Sequence, residues 1–148
     1  MLQACECPPG AGASTCKLRT QPGPEARPTN GKLGKRVDIL TLKALLALPL
    51  TLLSSQQYRF CRDPDCPTVY YSADGSELHS ENDLRELVFE KHPERDDVFV
   101  GYCFRHSIGA IRAEVAQPGT SNVVASVNAG IQAGKCACEI RNPRGVAA

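Results

Sequence analysis

The sequence has no tryptophan and few other aromatic residues, which together make up 5% of its 148 positions. Its acidic and basic side chains nearly balance, and the formal net charge is +1. A surface that binds nucleic acid is usually basic and often carries aromatic side chains on which bases stack. Both features are missing from this composition, so we expect no nucleic-acid partner.

A long hydrophobic run is missing as well. The most apolar stretch, residues 39–53, is about 15 residues long and contains Lys43 and Pro49, whereas a membrane-spanning helix needs about 20 apolar residues. The opening sequence MLQACECPPG has neither the basic start nor the apolar centre of a secretory signal. We therefore expect a cytoplasmic protein that does not insert into membranes.

The motifs of common enzyme classes are also missing. The sequence shows no Ser/His/Asp arrangement, no glycine-rich phosphate loop and no pair of carboxylates at a catalytic spacing. A cysteine nucleophile would need a histidine brought to Cys103 from a distance, and no pattern supports that. We expect that the protein is not an enzyme.

Cysteine, in contrast, is abundant, with eight residues in the chain. Six of the eight form close pairs, at spacings of Cys-x-Cys or Cys-x4-Cys. Closely spaced thiols suit a metal better than long-range disulfides, and disulfides are rare in a reducing compartment. We favour metal binding, with a disulfide framework as the alternative. The pairs are Cys5 with Cys7, Cys61 with Cys66, and Cys136 with Cys138.

The C-terminal third of the chain, residues 98–145, contains Cys103 near its start and the pair Cys136 and Cys138 near its end. A Cys-x-Cys pair is difficult to bury in an ordinary core, because alternate residues of an extended chain face opposite sides. A segment that folds back on itself would bring all three thiols together. Three thiolates with a further donor nearby meet the requirement of an iron-sulfur cluster.

Two helices are predicted between these cysteines. Ser107 precedes the first helical segment and Thr120 or Ser121 the second, in the position of capping residues. Gly134 is placed to end the second helix in the left-handed conformation. His106 is expected at the surface, with a hydrogen bond to a cluster sulfur as the alternative. The second helix is predicted to bury an aliphatic stripe of Val123, Val124, Val127 and Ile131.

The middle of the chain is predicted to form a β-hairpin. Two strand-like segments, YRF and TVYYS, surround the turn Asp63-Pro64-Asp65. Cys61 and Cys66 flank this turn with four residues between them, which is the long end of zinc-knuckle spacing. We interpret the pair as zinc ligands, with a strained disulfide or two free thiols as alternatives.

Two further helices are predicted beside the hairpin. The leucine spacing after Thr41 predicts a short helix that ends before Pro49. Ser80 and Asp83 have the spacing of a helix cap, which predicts a helix over the segment DLRELVF. Residues 1–36, rich in Pro, Gly, Ala, Ser and Thr, are expected to form a flexible tail.

Four segments carry a family resemblance: NGKLGKRVDILTLKALL, YRFCRDPDCPTVYYSADG, GYCFRHSIGAI and GKCACEIRNPRG. They resemble the iron-sulfur and zinc-binding N-terminal domain of CopZ-type copper chaperones, whose cluster half is similar to bacterioferritin-associated ferredoxin. The resemblance spans roughly residues 27–145. It implies a 2Fe-2S cluster on four cysteines, a mononuclear zinc, and a role in cytoplasmic copper handling, in which the cluster supplies an electron for reduction of Cu(II).

The sequence departs from this family at several ligand positions. Gly101 replaces a cysteine of the family's Cys-Tyr-Cys motif, Arg27 replaces a cysteine of the zinc half, and no Cys-Cys pair follows Gly145. The resemblance therefore implies a reduced set of ligands. Cys103, Cys136 and Cys138 remain for the cluster, and Cys61 and Cys66 remain for zinc, with Cys16 and His79 as the nearest candidates to complete the zinc site.

These observations together predict an α+β protein with three parts. A flexible cysteine-containing tail occupies residues 1–36, a zinc-binding lobe of short strands and helices residues 37–96, and a helix-turn-helix lobe that binds the 2Fe-2S cluster residues 97–148. The expected function is that of a redox or accessory protein in copper or heavy-metal handling. Its expected partners are copper or another soft metal ion, for which the tail thiols Cys5 and Cys7 are candidate ligands, and a redox or metal-acceptor protein. The alternative is a degenerate, zinc-stabilised interaction module that has lost the cluster.

Overall fold

The computed structural model describes residues 32–119 and 122–146. Short antiparallel strands and helices alternate along the chain, and the predicted α+β class is confirmed. The strands are β1 (Lys35–Val37), β2 (Tyr58–Phe60), β3 (Thr68–Ser72), β4 (Leu78–Ser80), β5 (Phe99–Gly101) and β6 (His106–Ser107). The helices are α1 (Ile39–Leu45), α2 (Ile108–Val115), α3 (Asn122–Gln132) and α4 (Cys138–Arg141), and short 3-10 turns occupy Leu50–Leu52, Glu81–Asp83 and Phe89–Lys91.

Several predicted features lie outside the described residues. They include the tail thiols Cys5 and Cys7, the candidate zinc ligand Cys16, the substituted position Arg27, and the two candidate caps before α3. The longest helix of the described ranges, α3, has 11 residues. Within those ranges, no helix has the length and apolar character needed to cross a membrane.

The main sheet contains four antiparallel strands in the order β1-β2-β3-β4. Strands β2 and β3 form the predicted hairpin, with Tyr58 opposite Ser72 and Phe60 opposite Tyr70. Four consecutive residues of β3 are buried, which shows that both faces of this central strand are covered. The principal core consists of Val37, Leu42, Leu46, Tyr58, Phe60, Val69, Tyr70, Leu84 and Val88.

Glu77 fixes one end of this sheet. Its carboxylate accepts hydrogen bonds from the Tyr58 hydroxyl at 2.6 Å, from the backbone N–H of Ser54 at 2.8 Å and from that of Ser55 at 3.0 Å. Burial raises the pKa of Glu77, but the hydrogen bonds from Ser54, Tyr58 and Ser55 outweigh burial and lower the pKa to about 2. The carboxylate is therefore ionised in the folded protein at any ordinary pH.

The predicted start of α1 was wrong by three residues. Asp38, rather than Thr41, caps the helix, because its carboxylate accepts the Leu40 N–H at 2.8 Å. Thr41 lies inside the helix and is fully buried. Its hydroxyl is thus free to bond outside the helix, and it donates to the Glu139 carbonyl at 2.6 Å.

The helix predicted over DLRELVF was also wrong. Ser80 and Asp83 form the expected capping box, but only one 3-10 turn follows it. Leu84 is extended and forms an isolated antiparallel bridge with Leu46, and the Arg85 N–H donates to the Leu45 carbonyl at 2.8 Å. Backbone groups that a continuing helix would need are used instead to join this segment to the end of α1.

The helical pair α2 and α3 forms as predicted, but its expected apolar stripe is not buried. Ser107 caps α2 by accepting the Ala110 N–H. In α3, Val123 and Val127 are half-buried, whereas Val124 is 60% and Ile131 51% exposed. The spacing of the apolar residues predicted the helix correctly. Whether each apolar side chain is buried depends on the elements that pack against the helix.

The C-terminal segment joins the helical pair to the main sheet. Helix α4 packs against α1, and the Thr41 hydroxyl bonds to Glu139 within it. The fully buried Tyr70 of β3 donates its hydroxyl to the Pro143 carbonyl at 2.6 Å. Residues far apart in sequence therefore hold the start of α4, where Cys138 lies, in a fixed position.

Candidate metal centres

Three thiols converge in the C-terminal part of the molecule, as the sequence predicts. The Cys138 Sγ lies 3.5 Å from the Cys103 Sγ and 3.2 Å from the Cys136 Sγ. All three sulfur atoms lie within 4.8 Å of one another. Within residues 32–119 and 122–146, this cysteine triad is the group of Cys, His, Asp or Glu side chains that is dense enough to hold a metal ion.

Each cysteine of the triad belongs to a different local structure. Cys103 lies in the tight turn between β5 and β6, where Arg105 has a positive φ of 61°. Helix α3 ends in a Schellman motif, in which the Gly134 and Lys135 N–H groups donate to the carbonyls of Ile131 and Gly130.

Gly134 has a φ of +68°, as predicted for the helix end. The chain then reverses to Cys136, and the next N–H, that of Ala137, donates to the Cys103 Sγ at 3.3 Å. Cys138 begins α4. The hydrogen bond from Ala137 therefore joins the segment that follows α3 to Cys103, which precedes α2.

The triad is electrostatically asymmetric. The hydrogen bond from the Cys138 side chain and a further bond from its backbone lower the pKa of Cys136. Burial, followed by the neighbouring thiols Cys136 and Cys103, raises the pKa of Cys138 to about 12. A metal binds the thiolate form of cysteine, so it must displace protons from this group. The proximity of three sulfurs is unfavourable for three thiolates alone and favourable for thiolates around a cation.

The triad borders a cavity of about 260 Å³ with mainly apolar walls. Phe104, Val127 and Ile131 contribute to these walls, and so does the ring of His106. The Nε2 atom of His106 is buried and has no hydrogen-bond partner. His106 as a whole is half-buried, and the expected surface position does not hold for this atom. Its position at a predicted helix start suggested a surface role, but the turn after β5 folds its ring inward.

The second predicted site contains Cys61 and Cys66, at the turn between β2 and β3. Both side chains are buried, and burial raises the pKa of Cys61. The turn is held by Lys91, whose ammonium donates to the carbonyls of Asp63 at 2.6 Å and Cys66 at 2.8 Å. None of the five described cysteines forms a disulfide. This pair therefore offers two preorganised soft donors beside a fixed cation.

His79 does not join these two cysteines. Its side chain is buried against the Tyr58 ring, with 6.1 Å between ring centroids, and its Nε2 lies 3.5 Å from the Glu77 carboxylate. No third Cys, His, Asp or Glu of the described residues groups with Cys61 and Cys66 as a metal ligand. The strand pairing places His79 in the same row as Tyr70 and Phe60. Cys61 follows Phe60 and therefore faces the opposite side of the sheet, where it packs with Cys66 and Tyr71.

Comparison with known proteins supports the resemblance in part. Residues 26–85 match the family model of the CopZ zinc-binding domain. The crystal structure of the N-terminal domain of CopZ from Archaeoglobus fulgidus superimposes with a TM-score of 0.67 over 83% of this chain and 90% of that chain, at 22% sequence identity. No curated protein matches the sequence. At this identity the structural likeness shows a common fold. The chain therefore contains a segment similar to the CopZ zinc-binding domain, within a fold that it shares with the CopZ N-terminal domain.

Proposed function

We propose that this protein is a metal-binding accessory or redox protein of cytoplasmic copper or heavy-metal handling, and that it has no catalytic activity of its own. In this proposal Cys103, Cys136 and Cys138 hold a 2Fe-2S cluster, and Cys61 and Cys66 bind zinc. The observation that carries it is the convergence of three sulfur atoms from separate elements within 4.8 Å. The match of residues 26–85 to a zinc-binding family supports the zinc half.

The residues of the triad fit a soft metal centre. Thiolates select zinc, Cu(I) and iron-sulfur clusters over hard cations. The backbone N–H of Ala137, which donates to the Cys103 sulfur, is the kind of contact that tunes the potential of a cluster. A bound 2Fe-2S cluster would supply one-electron transfer. The protein contributes the thiolates, this hydrogen bond and an apolar wall that limits access of water.

The zinc half uses two described ligands. Cys61 and Cys66 supply two thiolates, and zinc takes four ligands in structural sites. Because His79 is packed against Tyr58 and Glu77, it is not part of the proposed set. Cys16 lies outside the described residues and remains the candidate third donor.

Exposed aliphatic side chains on α2 and α3, one of which lines the cavity beside the triad, favour a protein partner. Val115 is 74% exposed, and Val124 and Ile131 are more than half exposed. Ile131 also lines the cavity beside the cysteines. Val124 and Ile131 are seven positions apart and share one face of α3, and an exposed apolar face is a feature of contact sites between proteins. We propose that a redox or metal-acceptor protein contacts this surface, close enough to the triad to exchange an electron or a soft metal ion.

The test is metal and sulfide analysis of the full chain purified without oxygen, together with its visible spectrum. We expect iron and sulfide in equal amounts, visible charge-transfer bands, and zinc. Cys103→Ser should lose iron and colour but keep zinc, and the matched variant Cys61→Ser should do the reverse. A colourless protein that contains zinc alone would refute the cluster and would favour the zinc-stabilised interaction module.

A further inference from the structure

The three cysteines leave the ligand set of a cluster one donor short. A 2Fe-2S cluster is held by four protein ligands, and histidine replaces cysteine at some of these positions in Rieske centres. The described residues contain no fourth cysteine near the triad. The donor must therefore come from another side chain at the cavity or from outside it.

The hairpin of β5 and β6 places a histidine at the wall of this cavity. Gly101 pairs with His106 across the hairpin, and Cys103 lies in the turn between them. A Cβ atom built on Gly101 would lie 3.2 Å from the Cβ of His106 and 3.5 Å from its Cδ2. The absence of a side chain at Gly101 thus leaves room for the imidazole ring, which lines the same cavity as the three cysteines.

The ring also has an unsatisfied donor or acceptor atom. His106 Nε2 is buried and has no hydrogen-bond partner among the described residues. A buried polar atom without a partner is unfavourable, and such atoms are rare in folded proteins. Coordination of a metal would satisfy this nitrogen, because neutral imidazole is a common metal ligand.

We propose that His106, through Nε2, is the fourth ligand of the metal centre formed by Cys103, Cys136 and Cys138. The inference rests on the proposed function, since it concerns the same centre. It makes the centre a set of three thiolates and one imidazole. Replacement of thiolate by imidazole raises the reduction potential of an iron-sulfur centre, so the bound cluster is easier to reduce than a four-thiolate cluster in the same fold.

The first experiment measures nitrogen coordination directly. Full-length protein labelled with 15N-histidine is purified without oxygen, reduced with dithionite and studied by pulsed EPR. We expect a strongly coupled histidine nitrogen in the wild type and in the control His92→Ala, because His92 bonds to Glu81 away from the triad. His106→Cys should lose this coupling, keep the cluster and have a lower reduction potential. Weak coupling only, as from an N–H donor to sulfur, would refute the proposal, and so would strong coupling that persists in His106→Cys.

A second experiment tests His106 even if no cluster forms. In that case the proposed cluster fails, but the ligand set can still be measured with Co²⁺ alone in the Cys61→Ser/Cys66→Ser background. We expect His106→Ala to shift the visible bands of bound Co²⁺ and to weaken its affinity at least about tenfold, with His92→Ala unchanged. Identical spectra and affinities in the two variants would overturn the assignment. Near-ultraviolet circular dichroism checks that both variants are folded.

Discussion

Tyr70→Phe tests how the main sheet supports the cysteine triad. The Tyr70 hydroxyl is fully buried and donates to the Pro143 carbonyl at 2.6 Å. Burial raises the pKa of this hydroxyl far above its usual range, so it remains a donor at all accessible pH values. The variant deletes the donor and leaves a buried carbonyl without a partner, which costs about 1–3 kcal/mol. With a denaturant dependence typical of a small domain, the urea midpoint should fall by about 1 M.

The matched control is Tyr71→Phe, which removes a hydroxyl from the adjacent residue of the same strand. The Tyr71 hydroxyl accepts the Gly34 N–H at 2.7 Å, so its hydrogen bond joins the sheet to the segment before β1 and not to the segment that follows Cys138. Both variants should unfold at lower urea. Only Tyr70→Phe should also weaken metal binding at the triad, measured by Co²⁺ titration in the Cys61→Ser/Cys66→Ser background. Equal triad affinity in the two variants, or an unchanged urea midpoint for Tyr70→Phe, would show that this hydrogen bond does not position the site.

Three further variants test the pH dependence and the close contacts of the fold. The pKa of Glu77 is about 2 in the folded protein, against an ordinary value of 4.5. Its ionised form therefore stabilises the fold fully above about pH 4.5. This stabilisation is lost as the pH falls from about 4.5 toward 2. Glu77→Gln should therefore flatten the dependence of melting temperature on pH in that interval. Gly145→Ala should lower the free energy of unfolding by about 1–2 kcal/mol, measured in urea, because Gly145 has a φ of +67° and an added Cβ would lie 2.9 Å from Val37. Gly130→Ala should destabilise the wild type, because the new Cβ would lie 2.3 Å from the Phe104 ring. In a Phe104→Ala background the same substitution should stabilise the protein by up to about 1 kcal/mol, because alanine has the higher helix propensity. A double-mutant cycle in urea measures both effects.

Each of these variants has an outcome that contradicts its reasoning. An unchanged pH profile for Glu77→Gln would mean that this carboxylate is not the group whose protonation weakens the fold. Wild-type stability of Gly145→Ala would mean that the backbone there adopts a negative φ without penalty. The same sign of effect for Gly130→Ala in both backgrounds would rule out contact with Phe104 as the reason for a glycine in α3.

Local signals in the sequence were sufficient for several elements. The turn at Asp63-Pro64-Asp65, the cap at Ser107 and the helix end at Gly134 were all predicted, because each depends on residues within a few positions of one another. The helix expected after Ser80 failed for the opposite reason. Its capping box formed, but the pairing of Leu84 with Leu46, 38 positions earlier in the chain, determined the backbone that follows. A propensity for helix is a weak preference that such pairing overrides.

The sequence by itself predicted that three thiols from residues 98–145 would meet, since two helices of similar length joined by a turn return the chain toward its starting point. Only the tertiary structure decided which side chains surround them. The inward position of His106 depends on the pairing of β5 with β6 and on the missing side chain at Gly101. The separation of His79 from Cys61 depends on the register of β3 with β4. Such contacts depend on how whole elements pack. The pairing register of a strand decides which face of the sheet each of its side chains points to.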